Sequence, residues 1–397
     1  MTPGDGSGPT ISRRGLLVGG GVGASLGLAA GGLAGLLGAR ATTTPGDDFP
    51  TAGEGAGPVP ARGRHQAGIA RPDTPQRHTV LVVADLDGEP DAAAVRAALA
   101  AAGDAVDALT DPGRADPDVL PDGPGDLTIT IGIGPRLVRA IDPALPGADP
   151  LPAFAGDELI GPEVVGGDLL VSACATDAAP LALVTDAVLD AIPGARRRWG
   201  QSGTRGAGEG TVARNPLGYH DGVIVPHGDA ELDANVWIPD GPAAGGTIAV
   251  VRRLRLDVAA FRSLAPEARD HVIGREHRSG APLSGGSLHD EADLTAKTPE
   301  GEFLVPLRSH VRAAHPSFTN SALMLRRGYA YSNGTAGEPD EGLLFVCFQR
   351  DLETFVRTQL RLDETDDLMR FVTTTASASF LVLPGRTGDD PLGAALF

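Results

Sequence analysis

A carboxylate framed by two glycines is the first feature of this sequence that could do chemistry. Asp221 lies in residues 215–222, which read Asn-Pro-Leu-Gly-Tyr-His-Asp-Gly. Gly218 and Gly222 allow the backbone to turn tightly and to approach a flat ligand closely. A carboxylate held at such a point can take up a proton and return it. An ordinary Asp-Gly turn explains the same residues, so this segment alone leaves both interpretations open.

Two histidines and two adjacent arginines form a second group. His310 and His315 lie in the segment Ser-His-Val-Arg-Ala-Ala-His-Pro, and Arg326 and Arg327 follow shortly after it. A neutral imidazole is a common metal ligand. However, a spacing of five is not the i, i+4 pair of a helical metal site, and Pro316 ends any helix there. A hydrogen-bonded structural histidine is therefore the alternative to a metal ligand.

Strands and helices must hold these residues in place. Apolar runs, alternating or continuous, predict strands, and runs with helical spacing predict helices between them. The predicted strands are 79–84, 127–133, 169–175, 247–256 and 343–348, and the predicted helices are 91–102, 135–141, 179–192, 257–265, 266–273 and 352–362. This mixture predicts an α+β protein.

A similarity between the two halves predicts two α+β units of related build. In each half a leucine-rich strand is followed by an aspartate that can cap the next helix, Asp177 in the first and Asp351 in the second. Chance similarity between two buried strands is the alternative. The interpretation divides the body into an N-terminal unit of residues 76–210 and a C-terminal unit of residues 211–397.

The first residues are typical of an export signal. Arg13 and Arg14 precede an uncharged Gly/Ala/Leu stretch, which ends at an Ala-Arg-Ala cleavage site. Paired arginines ahead of a weakly apolar stretch indicate a twin-arginine signal peptide over residues 1–41, and a transmembrane helix is the alternative. Residues 42–75 lack an apolar period and are predicted to be a flexible linker. We expect an exported protein, extracellular, periplasmic or associated with the cell envelope, without stable membrane insertion after cleavage.

The charge and the cysteines restrict the classes of partner. A net charge of −18 argues against nucleic acid and against anionic membrane surfaces, since both require a basic face. Cys174 and Cys347 each lie in a predicted buried strand, and we interpret them as small hydrophobic residues. The spacing of Cys and His residues is not that of a zinc or iron–sulfur site.

Taken together, ordered motifs along residues 76–397 resemble those of the dye-decolourising peroxidase family. The resemblance is to its twin-arginine-exported branch, which includes deferrochelatase-like proteins. The motifs are residues 127–135, 167–170, 218–222, 250–253, 273–275, 309–312, 325–329 and 342–345. The most specific of them are Gly-x-x-Asp-Gly, Ser-His-Val-Arg and Leu-Arg-Arg-Gly-Tyr.

The resemblance implies a fold, a cofactor and a set of contacts. The fold is two ferredoxin-like units, antiparallel sheets with peripheral helices, that form a dimeric ferredoxin-like barrel around one haem b. His310 is implied as the axial ligand of the haem iron, although His315 stands where another polar residue is expected and remains a rival. The residues expected to contact haem are Gly222, Val223, Ile224, His310, His315, Pro316, Ser317, Arg326 and, through a propionate, Arg275.

The implied reaction is reduction of hydrogen peroxide with oxidation of a small organic reductant such as a dye or a phenol. Asp221 would take the first proton of the peroxide and return it to the leaving oxygen. Arg326 would stabilise the developing negative charge and would lower the pKa of Asp221. No motif identifies the hydrogen-bond partner of His310, the implied iron ligand. Asp351 and Glu353 are the candidates.

Two other functions remain as alternatives. One is release of iron from haem, as in the deferrochelatase-like proteins, and the other is a non-catalytic exported haem-binding protein. The physiological reductant and the oligomeric state are left open, with a homo-oligomer as one alternative.

Overall fold

The computed structural model describes residues 57–335 and 339–397. The predicted signal peptide, residues 1–41, and the first part of the predicted linker lie outside these residues. Within the described part of the chain, no helix is both long enough and apolar enough to cross a membrane.

Strands and helices alternate along the described residues. The strands are β1 His78–Leu86, β2 Thr128–Ile133, β3 Leu169–Ala175, β4 Ala195–Thr204, β5 Gly208–Glu209, β6 Val212–Arg214, β7 His220–Asp221, β8 Thr247–Leu256, β9 Leu325–Arg326, β10 Tyr329–Ser332, β11 Glu341–Gln349 and β12 Val372–Val382. The helices are α1 Ala92–Thr110, α2 Pro135–Ile141, α3 Leu181–Ala191, α4 Gly228–Asn235, α5 Val258–Ser263, α6 Pro266–Ile273, α7 His310–Ala313, α8 Pro316–Thr319 and α9 Leu352–Thr365.

Eight strands close into an antiparallel barrel. The order around the ring is β4-β1-β3-β2-β12-β8-β11-β10, and pairing of β10 with β4 closes it. The short strand β9 adds to β11, and β5, β6 and β7 form a separate small sheet. The α+β fold with an antiparallel barrel and peripheral helices is therefore confirmed.

The two halves of the barrel have the same strand order. Numbered within each half, both β4-β1-β3-β2 and β12-β8-β11-β10 read 4-1-3-2. The similarity in sequence pairs β3 with β11, and each is the third barrel strand of its half. The helices that follow them, α3 and α9, are paired in the same way. Asp351 caps α9 as predicted, because its carboxylate accepts from the Thr354 amide. Asp177 does not cap α3, since it accepts from Ala179 and Pro180 holds the N-cap position.

The last part of the predicted flexible linker is packed against the barrel. The buried Gln66 amide donates to the carbonyls of Ile131 and Leu383, and its oxygen accepts from the Ile131 amide. Thr130 donates to the Ala67 carbonyl. The linker prediction was thus wrong for this part, because a polar side chain rather than an apolar run anchors it. The composition of the segment could not reveal that.

The outer faces of the two halves are covered differently. In the N-terminal half, Val82 and Ala84 of β1 pack in one core with α1 and α3, while Leu81 and Val83 face the barrel interior. In the C-terminal half, Ala249 and Val251 of β8 belong to that same interior core. The residues that alternate with them line a cavity between the sheet and the helices. This difference provides room for a site in the second half.

Candidate active site

The cavity is wide and mostly apolar. It encloses about 1670 Å3 when the space at its open mouth is counted. Strands β8 and β11 provide Leu254, Leu256, Leu343 and Phe345. One face of α9, with the spacing of adjacent helical turns, provides Phe355, Thr358, Gln359 and Leu362. The walls can therefore enclose a large flat ligand.

Asp221 enters the cavity from a turn that only glycine allows. It ends β7, which pairs with β6, and the next residue, Gly222, has a φ of +86°. A Cβ at position 222 would also collide with the carbonyl oxygen of Thr211. The Gly222 amide donates to Asp221 Oδ1 at 2.6 Å, which fixes the carboxylate. The glycine is required both by the left-handed backbone and by the close approach.

Arg326 lies beside this carboxylate. Strand β9 holds it against β11, where Arg326 pairs with Cys347. Its Nη2 donates to Asp221 Oδ1 at 3.1 Å, and its Nη1 donates to the Ile224 carbonyl at 3.0 Å. Burial alone would raise the pKa of Asp221, but the Arg326 guanidinium, the Gly222 amide and the charge of His310 together outweigh burial and hold that pKa below its ordinary value. The pair therefore presents an ionised carboxylate and a fixed cation.

His310 faces the same cavity from α7. Its Nδ1 lies 2.6 Å from Oδ2 of Asp366, whose side chain is 0% exposed. Asp366 follows α9, and its Oδ1 accepts from the Leu368 amide. Burial by itself would lower the pKa of His310, but the charge and hydrogen bond of Asp366 outweigh it and raise that pKa. A carboxylate that accepts from Nδ1 leaves the Nε2 lone pair free for a metal and makes the imidazole a stronger donor.

The two candidates that the sequence offered for the partner of His310 were wrong. Asp351 is engaged as the N-cap of α9, and Glu353 accepts from Arg357 one turn away on the same helix. The observed partner, Asp366, lies at the opposite end of α9. It is 56 residues from His310 in sequence. Because only the packing of α7 against α9 brings the two together, no local spacing could have identified it.

His315 also lines the cavity, but both of its ring nitrogens are engaged. Nε2 lies 2.6 Å from Glu291 Oε1, and Nδ1 accepts from the Ser317 amide at the start of α8. In that tautomer Nε2 carries the proton and donates it to Glu291. His310 therefore has the free nitrogen, and His315 caps α8, which begins at Pro316.

Arg275 lies at the cavity wall, and its guanidinium is hydrogen-bonded to backbone carbonyls. It is 4% exposed, and it donates to the carbonyls of Gly280, Leu288 and Asp290. Its predicted pairing with a haem propionate remains a prediction. Val223 and Ile224 line the cavity directly after the Asp221 turn.

Some cavity residues had no predicted role, although one of them, Arg252, lies in the motif of residues 250–253. Arg252 of β8 is 1% exposed and forms a buried ion pair with Asp157, which lies in the N-terminal half of the chain. Thr374 of β12 accepts from the same guanidinium at 2.7 Å. These residues reach the cavity only because β8 and β12 pair side by side, so their role could be found from the fold alone.

The arrangement fits a haem. An imidazole with a free Nε2 faces an apolar cavity, and a buried carboxylate fixes its tautomer as in other metal-binding histidines. Asp221 and Arg326 face the same cavity from the sheet side, where a small polar reactant could meet them. Gly222 lines the cavity beside the Asp221 turn. His310 would hold the iron, and Val223, Ile224 and the α9 face would surround the ring.

Comparison with known proteins gives one consistent result. Residues 66–204 match the family model described as Dyp-type peroxidase, N-terminal, and residues 212–387 match Dyp-type peroxidase, C-terminal. A dye-decolorizing peroxidase of Thermobifida fusca is 37% identical over 285 residues, which cover 67% of this chain and 66% of that protein. A deferrochelatase of Yersinia pestis is 32% identical over 365 residues, covering 82% of this chain and 81% of that protein.

Solved structures agree with these matches. Ferric DtpA from Streptomyces lividans is 34% identical, with a TM-score of 0.79 over 86% of this chain and 98% of that one. A DyP-type peroxidase from Cellulomonas bogoriensis is also 34% identical, with a TM-score of 0.78 over 87% of this chain and 99% of that one.

Proposed function

The chain belongs to the Dyp-type peroxidase family, and on that premise we propose that it is a haem peroxidase that reduces hydrogen peroxide and oxidises a small organic reductant. The observation that carries the proposal is one cavity faced by two polar pairs, Asp221 with Arg326 and His310 with Asp366. Peroxide-dependent oxidation of a dye or a phenol by the haem-loaded protein tests it. Turnover should require both haem and peroxide.

The cofactor proposed is haem b, bound through His310. Haem, when bound, would supply the redox chemistry of the reaction between peroxide and the reductant. The alkaline pyridine spectrum of the purified protein distinguishes haem b from covalently attached haem. His310 contributes electron density that Asp366 reinforces.

Two side chains act on the peroxide. Asp221 is ionised and can accept the first proton of hydrogen peroxide, then return it to the oxygen that leaves as water. Arg326 donates to the oxygens as they gain negative charge. Both side chains are partly exposed to the cavity, at 39% and 25%, so neither has to move far to reach a small molecule.

The pH dependence should report the Asp221–Arg326 pair. A carboxyl with a lowered pKa stays ionised, and so can act as a base, further into the acidic range than an ordinary aspartate. In Arg326→Leu that pKa rises, and the acidic limb of the peroxide reaction should move to higher pH. The measurement is the stopped-flow rate of the Soret change against pH. An acidic limb at the same pH in both proteins would mean that Arg326 does not set it.

Asp366 should affect the reduction potential of the iron through its hydrogen bond to His310. In Asp366→Asn the hydrogen bond to His310 loses its charge, so the reduction potential of the iron should rise and the peroxide reaction should slow by about 10–100-fold. Asp367→Asn is a matched control, because the neighbouring Asp367 pairs with Arg308 on the surface. Spectroelectrochemistry of both variants provides the comparison. Equal potentials in the two variants would contradict the role given to Asp366.

Release of iron from haem is the second candidate function. It is favoured by a relative named deferrochelatase that aligns over 82% of this chain. The test is extraction of the product after incubation with haem. Metal-free protoporphyrin would support iron release, whereas haem recovered intact together with dye oxidation would support the peroxidase alone.

Export by the twin-arginine route is proposed from Arg13, Arg14 and the uncharged stretch that follows them. This route carries folded proteins, which suits a protein that binds its cofactor before export. The mature protein would then act outside the cytoplasm or in the cell envelope. Replacement of both arginines by lysine, followed by fractionation of the cells, tests the proposal.

A further inference from the structure

Arg205 is a charged residue that neither the motifs nor the proposed reaction uses. It follows the last residue of β4, and its backbone amide donates to the Arg77 carbonyl at 2.7 Å. The residue is partly buried, and no carboxylate of residues 57–335 or 339–397 lies within ion-pair distance of its guanidinium. Partial burial of a guanidinium without a carboxylate partner costs free energy. The contribution that offsets this cost has to come from its hydrogen bonds.

The guanidinium connects two carbonyls that belong to different segments of the active site. Nη1 donates to the Gly328 carbonyl at 3.3 Å, two residues after Arg326. Nη2 donates to the Thr211 carbonyl. One planar side chain from the N-terminal half thus holds two segments of the C-terminal half together, as the fixed fork of an arginine can.

Each of these two segments holds one member of the Asp221–Arg326 pair in place. Thr211 lies against the Asp221 turn, since its hydroxyl donates to the Gly222 carbonyl at 2.7 Å and its carbonyl occupies the place of a Cβ at Gly222. Gly328 lies two residues after Arg326, in the short connection between β9 and β10. The separation of Asp221 from Arg326 therefore depends on Thr211 and Gly328, both of which Arg205 holds.

The charge of Arg205 also lies close to Asp221. Both residues line a small separate cavity of about 290 Å3, together with Asn215 and Gly328. Burial lowers the pKa of Arg205, and attraction to Asp221 opposes that effect. The other charged groups that act on Asp221 are Arg326, Arg275 and His310.

We propose that Arg205 is a positioning residue for the peroxide reaction. It fixes the distance between Asp221 and Arg326 through the two carbonyls and adds a second positive charge near Asp221. The inference rests on the proposed peroxidase function only for its kinetic consequence. The tether between the two segments consists of contacts within the chain, so it can be tested without haem.

Two substitutions separate the two contributions. Arg205→Lys keeps the charge but cannot span both carbonyls, and Arg205→Gln removes the charge as well. Both variants should react with peroxide about 10-fold to 100-fold more slowly, because small displacements of reacting groups are costly. Only Arg205→Gln should shift the acidic limb of the rate to higher pH. Arg262→Gln, which changes an exposed arginine of α5, is the matched control.

The experiment uses the haem-loaded protein, with stopped-flow rates measured against pH and with melting temperatures recorded for each variant. Hydrogen–deuterium exchange of the haem-free proteins adds a readout that does not depend on catalysis. Exchange in residues 211–222 and 325–328 should increase in both variants and should stay unchanged in Arg262→Gln. If the wild type itself fails to react with peroxide, the proposed function fails, while the exchange data still test the tether.

The proposal is overturned if both variants keep the rate and the pH profile of the wild type. It is also overturned if they slow equally, with no shift of the acidic limb and with a matching fall in melting temperature. That result would assign Arg205 a purely structural role.

Discussion

Replacing Asp221 with asparagine should slow the reaction with hydrogen peroxide by about 10²–10⁴-fold, the usual contribution of a positioned acid–base group. Asparagine keeps the size of the side chain and can still contact Arg326, but it cannot accept a proton. The resting Soret band should remain, because His310 and the apolar walls, rather than Asp221, are proposed to hold the haem. The rate is measured by stopped flow under pseudo-first-order conditions.

Arg326→Leu should slow the same step by about 10²–10³-fold, as expected for loss of one fixed donor to a developing negative charge. The double variant should lose less than the product of the two single losses. The two residues share one hydrogen bond and act on the same peroxide, so their effects are coupled.

Asp229→Asn, which changes an exposed aspartate of α4, is a control for loss of a carboxylate elsewhere. It should react at the wild-type rate. A wild-type rate in Asp221→Asn would remove Asp221 from the reaction. Losses that multiply fully in the double variant would mean that the two side chains act independently.

The second large effect concerns the iron ligand. His310→Ala should lower the affinity for haem at least about 100-fold, since loss of a mere hydrogen-bond partner of a metal ligand already costs 10–100-fold. His315→Ala should leave the axial ligation unchanged, because Nε2 and Nδ1 of His315 are used by Glu291 and Ser317. Haem titration and the ferric spectrum distinguish the two variants.

Added imidazole provides a further check. It should enter the space left in His310→Ala and restore the histidine-ligated spectrum, and it should leave that of His315→Ala unaltered. Loss of the histidine-ligated spectrum in His315→Ala, with its retention in His310→Ala, would reverse the assignment of the ligand.

The strands were predictable from the sequence where their pattern was strong. β8 has the predicted bounds, residues 247–256, because an apolar, β-branched run that ends in alternating arginine and leucine, bounded by glycine and aspartate, admits few alternatives. The closure of the barrel was not visible in any local pattern. It depends on a single pair, Ala330 with Thr204, between strands from opposite halves.

The residues of the candidate site also fall into those that the sequence predicts and those that only the packing of the chain reveals. Asp221 could be predicted because its Gly-x-x-Asp-Gly segment is one of the motifs that carry the family resemblance, and the structure shows that the turn itself requires Gly222. Asp366 and Arg205 could not be identified, since each meets the site through the packing of distant segments. The prediction of a flexible linker failed at Gln66 for a different reason. This polar residue lies in a stretch without an apolar pattern, yet it is buried and makes three hydrogen bonds to the barrel.

The central claim is that one cavity binds haem through His310 and presents Asp221 and Arg326 to peroxide. The most direct measurement is the absorption spectrum of the purified, haem-loaded protein before and after addition of equimolar hydrogen peroxide. We predict a histidine-ligated Soret band that changes at once and returns when an oxidisable dye is added. A protein that takes up no haem, or whose Soret band does not respond to peroxide, would contradict the claim.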